Sequence, residues 1–182
     1  MYDLTIDGYM NEIELQCIER WASEVPENGV IVEVGSLFGR SAVAWAKSCD
    51  PSVTVYCVDS FYDPRTDTDF SDKFYENTAD IPNIRPVVQV CPYFKYSKYI
   101  GEPADIFFLD ALHINPNDWN NILFGLRNIN SGGLLCGHDY GDADWPDVTV
   151  NVKKLEEMLE TPVTSYPGTS LWSFVIDPAK KQ

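Results

Sequence analysis

The sequence has little of what most specialised protein classes require. Lysine and arginine number 13 against 28 aspartates and glutamates, a net charge of −15 over 182 residues. No basic run interrupts that excess, and so acidic a surface repels phosphate backbones and anionic lipid. Nucleic acid and membrane are therefore not expected as partners, which leaves a small molecule by elimination. No apolar run nears the ~20 residues a membrane helix needs. No early apolar stretch follows a basic start, so no signal peptide is expected either. The five cysteines are odd in number and never form a Cys-x-x-Cys pair. Cys57 and Cys136 lie in apolar strand-like runs, so buried reduced thiols are expected rather than disulfides or zinc, and with them a cytoplasmic location. The dinucleotide fingerprint Gly-x-Gly-x-x-Gly is missing as well. After Gly35 it would need glycine where Leu37 and Arg40 stand, which argues against a nicotinamide or flavin pyrophosphate. There is no internal repeat, linker or low-complexity tract.

What is present reads as one α/β domain. Apolar residues make up 45% and charged residues 23%, ordinary for a globular chain long enough to bury a core. Cys17, Ile18, Trp21, Ala22 and Val25 recur at helical spacing and stop at Pro26 to Gly29. Residues 1–28 thus form a helical leader to a domain over 29–182. Strands are expected at Val30 to Val34, Val53 to Val58, Val87 to Val90, Ala104 to Leu109 and Leu134 to Gly137. Pro86, opening the third, suits a sheet edge. Helices are expected through Ala42, Val43 and Ala46, and over Ser71 to Thr78. A third has the stripe Trp119, Ile122, Leu123, Leu126 and Ile129, started by Asn115-Pro116 and broken by Gly132-Gly133. A fourth runs through Val148, Val152, Leu155 and Leu159, closed by Pro162. Pro167-Gly168 joins two last strand-like pieces, Val163 to Tyr166 and Leu171 to Ile176, into an antiparallel hairpin. Strands alternating with helices imply a doubly wound parallel sheet, which binds ligands at the carboxyl ends of its strands.

Three groups of residues fall at those ends. Glu33-Val34-Gly35-Ser36-Leu37-Phe38-Gly39-Arg40-Ser41 is a strand, a glycine turn and a helix start. Gly35 can let backbone approach a ligand, and the helix amides behind it favour a carboxylate. A tight turn with no ligand has the same spacing. Asp59 ends the second strand and can accept from both hydroxyls of a ribose, or can simply cap or face solvent. The two histidines of the chain both follow strand ends, in Asp110-Ala111-Leu112-His113 and Gly137-His138-Asp139-Tyr140. Adjacent strand ends would bring Asp110, His138 and Asp139 together as ligands for a divalent cation, magnesium through oxygen or a transition metal through histidine. His138 is also a candidate general base, or part of a structural corner. His113 reads as a loop residue. Phe61, Tyr62, Phe70, Phe74 and Tyr75, with Trp145, can wall a pocket, although satellite packing explains most of them. Nothing near Cys91 would activate it as a nucleophile.

Taken together, Val-Glu-Val-Gly-Ser-Leu-Phe-Gly-Arg-Ser at 32–41, Val-Asp-Ser-Phe at 58–61, Phe-Leu-Asp-Ala-Leu-His at 108–113 and Ser-Gly-Gly-Leu-Leu-Cys-Gly-His-Asp-Tyr at 131–140 resemble class I S-adenosylmethionine-dependent methyltransferases. Within them the chain is similar to the branch of macrocin-type and other small-molecule O-methyltransferases, some of whose relatives are called cephalosporin hydroxylases. The likeness runs over about residues 29 to 176. It implies a Rossmann-like seven-stranded sheet of order 3-2-1-4-5-7-6 ending in the antiparallel hairpin. It implies S-adenosylmethionine with Glu33, Gly35 and Ser36 near its methionine end and Asp59 on its ribose. Gly39, Ser41, Ser60 and Asp110 complete that cofactor-binding set.

By the same resemblance Asp110, His138 and Asp139 hold magnesium or another divalent cation; Asp110 and His138 are the candidate catalytic residues, through a cation that orients an acceptor hydroxyl or with His138 as its general base. Gln89-Val90-Cys91-Pro92 lacks the acid with which the family often meets adenine, and the chain carries no lid domain. An open acceptor pocket, or one completed by a partner subunit in a homo-oligomer, follows from that. The alternatives are a binding or regulatory subunit that keeps the fold without transfer, and metal-dependent hydrolysis or oxidation at the same rim.

Overall fold

Alternating apolar positions along the central strands send side chains to opposite faces of one sheet, and helices cover both. The computed structural model describes residues 2–63, 66–177 and 179. In chain order it consists of α1 (Glu12–Ser23), β1 (Val30–Val34), α2 (Arg40–Ser48), β2 (Thr54–Asp59), β3 (Tyr62–Asp63), β4 (Thr68–Asp69), α3 (Ser71–Thr78), β5 (Ile84–Val88), α4 (Tyr96–Tyr99), β6 (Ala104–Leu109), α5 (Asn117–Asn128), β7 (Ile129–Gly137), α6 (Pro146–Leu159), β8 (Thr164–Ser165) and β9 (Trp172–Val175). Seven strands form one sheet in the order β5-β2-β1-β6-β7-β9-β8, and β3 and β4 pair as a separate ribbon. With that ribbon set aside, the order is the expected 3-2-1-4-5-7-6. All pairings from β5 to β7 are parallel, and β9 runs antiparallel to both β7 and β8.

Ile31, Ile106 and Phe108 enter one core with α1, α2 and α3. Val30, Val32, Val34, Phe107 and Leu109 enter the other with α5 and α6. The leader helix is part of the first: Leu15, Ile18, Trp21 and Ala22 pack with Trp45 and Ala46 of α2, and the Trp21 and Trp45 rings stack at 6.2 Å. The helix starts at Glu12, earlier than its apolar stripe suggests. Asn11 caps it, accepting from Ile13 N and Glu14 N, while the Glu14 side chain returns to Asn11 N.

Other element boundaries also differ from the sequence reading. Ile129 ends no helix; it begins β7 opposite Ala104, fully buried, and Gly132-Gly133 lie within that strand. An apolar residue at a helix-to-strand junction satisfies both periodicities, so spacing alone assigns it to either. β5 begins at Ile84, and Pro86 sits inside it opposite Cys57, on the sheet edge where its missing N–H breaks no ladder. Phe61, Phe70, Phe74 and Tyr75 pack ring against ring, with Phe38 on Phe70, and mostly fill core as expected. None of the five cysteines is in a disulfide. Among the described residues no helix is long and apolar enough to cross a membrane.

Because Ile18 is fully buried between α1 and the sheet, Ile18→Ala is expected to lower unfolding free energy by about 2–5 kcal/mol in a urea titration. A loss below ~0.5 kcal/mol, the scale of a surface substitution, would mean that α1 is merely laid on the domain.

Candidate active site

The turn after β1 is built against protein before it can meet a ligand. Gly35 has φ +88°, and a Cβ there would lie 2.0 Å from the carbonyl oxygen of Asp110. Only glycine fits, because the ends of β1 and β6 converge at this point. The sequence reading gave Gly35 to a ligand's approach; the backbone of Asp110 and Ala111 is what approaches. The turn is then closed by Asp59, whose Oδ2 accepts from Ser36 N at 2.8 Å and Leu37 N at 3.0 Å, and whose Oδ1 accepts from Phe61 N at 2.8 Å. Leu37 at φ +46° and Phe61 at φ +53° are both left-handed, and these bonds hold them there. Gly39 caps α2 with no side-chain bond to its first amides. Arg40 turns away to donate to Ile6 O at 2.6 Å and Met10 O at 2.9 Å, tying down the segment before α1.

Glu33 lies beneath the turn with no exposure. Its carboxyl accepts from Ser36 Oγ at 2.6 Å and Trp45 Nε1 at 3.1 Å. Burial pushes this carboxyl up to about 7, against the donors Ser36, Ser41 and Trp45 and with the Asp110 charge assisting. Ser41 is buried beside it on α2. Ser60 is exposed and bonds locally to Tyr62 O.

At the ends of β6 and β7 the structure assembles carboxylates around both histidines. One ligand atom each from Asp110, His113 and Asp139 lies within 4.8 Å of the others. His113, read from the sequence as a loop residue, is 7% exposed and sits in the middle of this group. Its Nε2 is 3.4 Å from Asp110 Oδ1 and 3.1 Å from Asp139 Oδ2, and its Nδ1 is 3.3 Å from Asp118 Oδ1. Asp118 is held in turn by Asn151 Nδ2 at 2.8 Å. Trp145 packs edge-on against the His113 ring, centroids 5.6 Å apart.

His138, expected among the ligands, stands beside the group. Its Nδ1 is 2.9 Å from Asp139 Oδ1 but 3.7 Å from Asp110 Oδ1. Its Nε2 lies 3.0 Å from Glu14 Oε1 on α1, an ion-pair distance off the direction of a hydrogen bond. Burial works against charge on both rings, and the carboxylates outweigh it. Asp110, Asp118 and Asp139 push His113 up to about 11, and Asp139, Glu14 and Asp110 push His138 up to about 10. Both imidazoles are therefore protonated at neutral pH, and His138 is no ready base in this arrangement. Against its own burial, Asp139 is held well below the usual carboxylate range by the two rings. Its backbone is left-handed, at φ +63°.

The structure thus brings Glu33, Gly35, Ser36, Gly39, Ser41 and Asp59 to one half of the rim and Asp110, His138 and Asp139 to the other. Sequence reasoning missed His113 at the centre, and Asp118, Asn151 and Glu14 behind it. Asn11-x-x-Glu14 is a capping-box spacing and could have located the start of α1, though not the contact with His138.

A sheet of this order with a reversed last hairpin, a glycine turn after β1 and an acid ending β2 is the class I methyltransferase form of the Rossmann-like fold. A family model described as a methyltransferase domain matches residues 32–140, more than half of the 182. The chain belongs to that methyltransferase-domain family. No curated protein sequence matches it significantly. Among solved structures, an rRNA methylase from Streptococcus thermophilus superposes with a TM-score of 0.65 at 16% identity, covering 94% of this chain and 99% of the other. CalS11, a TDP-rhamnose 3'-O-methyltransferase of calicheamicin biosynthesis, gives 0.65 at 16% over 90% and 77%. The O-methyltransferase TomG from Streptomyces achromogenes, in complex with S-adenosylmethionine, gives 0.64 at 15% over 92% and 82%. At these identities the likeness is one of fold.

Two outcomes follow. Adding a Cβ at Gly35 forces β1 and β6 apart, so Gly35→Ala is expected to cost at least ~3 kcal/mol, read as a lowered urea midpoint. Glu33 has a folded pKa, about 7, above its usual 4.5. The unfolded chain releases this proton first as pH rises. Stability owed to it is full below about pH 4.5 and is lost as pH passes 7, a total of roughly 3 kcal/mol. Stability of Glu33→Gln should therefore fall less than wild type between pH 5 and 8; parallel profiles would show that Glu33 is ionised throughout.

Proposed function

We propose that this chain is an S-adenosylmethionine-dependent O-methyltransferase acting on a small-molecule acceptor, with a divalent cation held by Asp110, His113 and Asp139. The observation that carries the proposal is the meeting, at one sheet rim, of a closed glycine turn with Asp59 and a compact two-carboxylate, one-imidazole group. The cofactor fits the first half. The amides opening α2 lack a side-chain cap and suit the methionine carboxylate. Asp59 spends three of its acceptor positions on backbone amides and keeps capacity for a ribose hydroxyl. Glu33, buried below the turn, keeps it rigid through Ser36.

The donor set fits a cation. Oxygens of Asp110 and Asp139 suit magnesium, and the His113 nitrogen admits manganese or iron. When bound, the cofactor supplies a methyl activated on sulfonium and the cation polarises the acceptor oxygen. The residues hold, orient and exclude water. Asp110 adjoins both halves, with its carbonyl at Gly35 and its carboxylate beside His113, so it would seat an acceptor between them, and positioning would supply most of the rate. His113 has to release a proton to serve as a ligand, so cation affinity rises with pH. His138 acts behind Asp139. The net charge of −15 supports a small molecule over RNA as acceptor. Five free cysteines support a reducing, cytoplasmic compartment.

Calorimetric titration with S-adenosylhomocysteine tests the cofactor half. Micromolar binding is expected, weakened by Asp59→Ala at least ~10-fold. Asp110→Asn should remove Mn2+ binding and, in an acceptor screen with labelled methyl donor, turnover. Turnover that a chelator leaves unchanged would remove the cation from the proposal, and binding of S-adenosylhomocysteine with no turnover on any hydroxyl acceptor would leave the fold in service as a binding subunit.

A further inference from the structure

One side chain of the N-terminal helix reaches the catalytic rim. Glu14 is 4% exposed, and its two carboxylate oxygens serve different ends. Oε2 accepts from Asn11 N at 2.9 Å and completes the capping box of α1. Oε1 faces the sheet, 3.0 Å from His138 Nε2, and accepts from Ser170 N at 3.1 Å and Ser170 Oγ at 3.4 Å. Both of these partners hold Asp139. His138 Nδ1 is 2.9 Å from Asp139 Oδ1, which leaves Oδ2 turned to the side of His113, 3.1 Å from its Nε2. Ser170 Oγ accepts from Asp139 N at 3.2 Å, and Ser170 O accepts from Tyr140 N at 2.9 Å. Asp139 is thereby gripped by side chain and main chain while its backbone keeps a left-handed φ of +63°. A residue with a Cβ stays in that region only when its surroundings hold it there. Helix capping needs one oxygen of Glu14; the second has no part in it.

We propose that Glu14 is a positioning residue for the rim, fixing the Asp139 carboxylate through His138 and Ser170 so that Oδ2 faces Asp110 and His113. The inference rests on the cation reading of Asp110, His113 and Asp139. Side chains that orient a metal ligand from behind change affinity when removed, although they never touch the ion.

The test is Mn2+ binding by the full chain, followed by the electron paramagnetic resonance of the free ion, with S-adenosylhomocysteine titrated in parallel. Glu14→Gln retains an acceptor for Asn11 N, since glutamine serves in a capping box, and replaces the carboxylate facing His138 by an amide. It is expected to unfold cooperatively, to bind S-adenosylhomocysteine within about twofold of wild type, and to lose roughly 10- to 100-fold in Mn2+ affinity. His138→Asn breaks the same link from the other end and stands in if Glu14→Gln fails to fold. Its loss should be similar, and the double variant should lose no more than either single one. Unchanged Mn2+ affinity in Glu14→Gln, or losses that add in the double variant, overturns the role of Glu14 and leaves the cation reading intact. Wild-type protein that binds no Mn2+ overturns the cation reading and this inference together.

Discussion

Where β1 and β6 end, Gly35 and the carbonyl of Asp110 occupy space that no side chain could share. That contact sets the distance between the two halves of the rim. On one side the chain must turn at once, with Leu37 and Phe61 in left-handed backbone, and the Asp59 carboxylate binds the turn together through three amides. On the other side Asp110 is delivered beside β7, whose last residues bring His138 and Asp139. The parallel register of β1, β2, β6 and β7 puts all these ends on one rim, and the two apolar cores hold the register.

Electrostatics account for how so acidic a chain tolerates buried carboxylates. Isolated, each would be costly to desolvate; paired and hydrogen-bonded, the cost is offset. Asp110, Asp118, Asp139 and Glu14 share two imidazoles, which offset part of their charge without lysine or arginine. Glu33 follows the other route, where burial raises its proton affinity and donors from Ser36 and Trp45 satisfy its oxygens. One rim thus contains an acid inclined to keep its proton and another, Asp139, inclined to lose it, a division set by what each touches.

Much of the fold was legible because its causes are local. β1 and β6 are short apolar runs bounded by turns, and α5 and α6 carry stripes or start signals that say helix in isolation. The hairpin announced itself through Pro167-Gly168. Ile129 was misassigned because an apolar residue at a junction fits either period. α1 was shortened because its first turn is capped by polar residues, Asn11 and Glu14, outside the apolar stripe.

The sequence by itself determined the strand order's raw material, the glycine turn, and the acids at the ends of β2 and β6, since period, turn chemistry and motif spacing act over a few residues. Only tertiary structure decided which histidine joins the carboxylates. Asp110 and His113 are three residues apart, yet it is Asp118 from the start of α5, Asn151 from α6 and Asp139 from beyond β7 that turn the His113 ring inward. His138 is drawn off instead by Glu14, from the other end of the chain. Side-chain orientation in a buried polar group is fixed by the full set of charges around it, and those charges come from elements far apart in sequence.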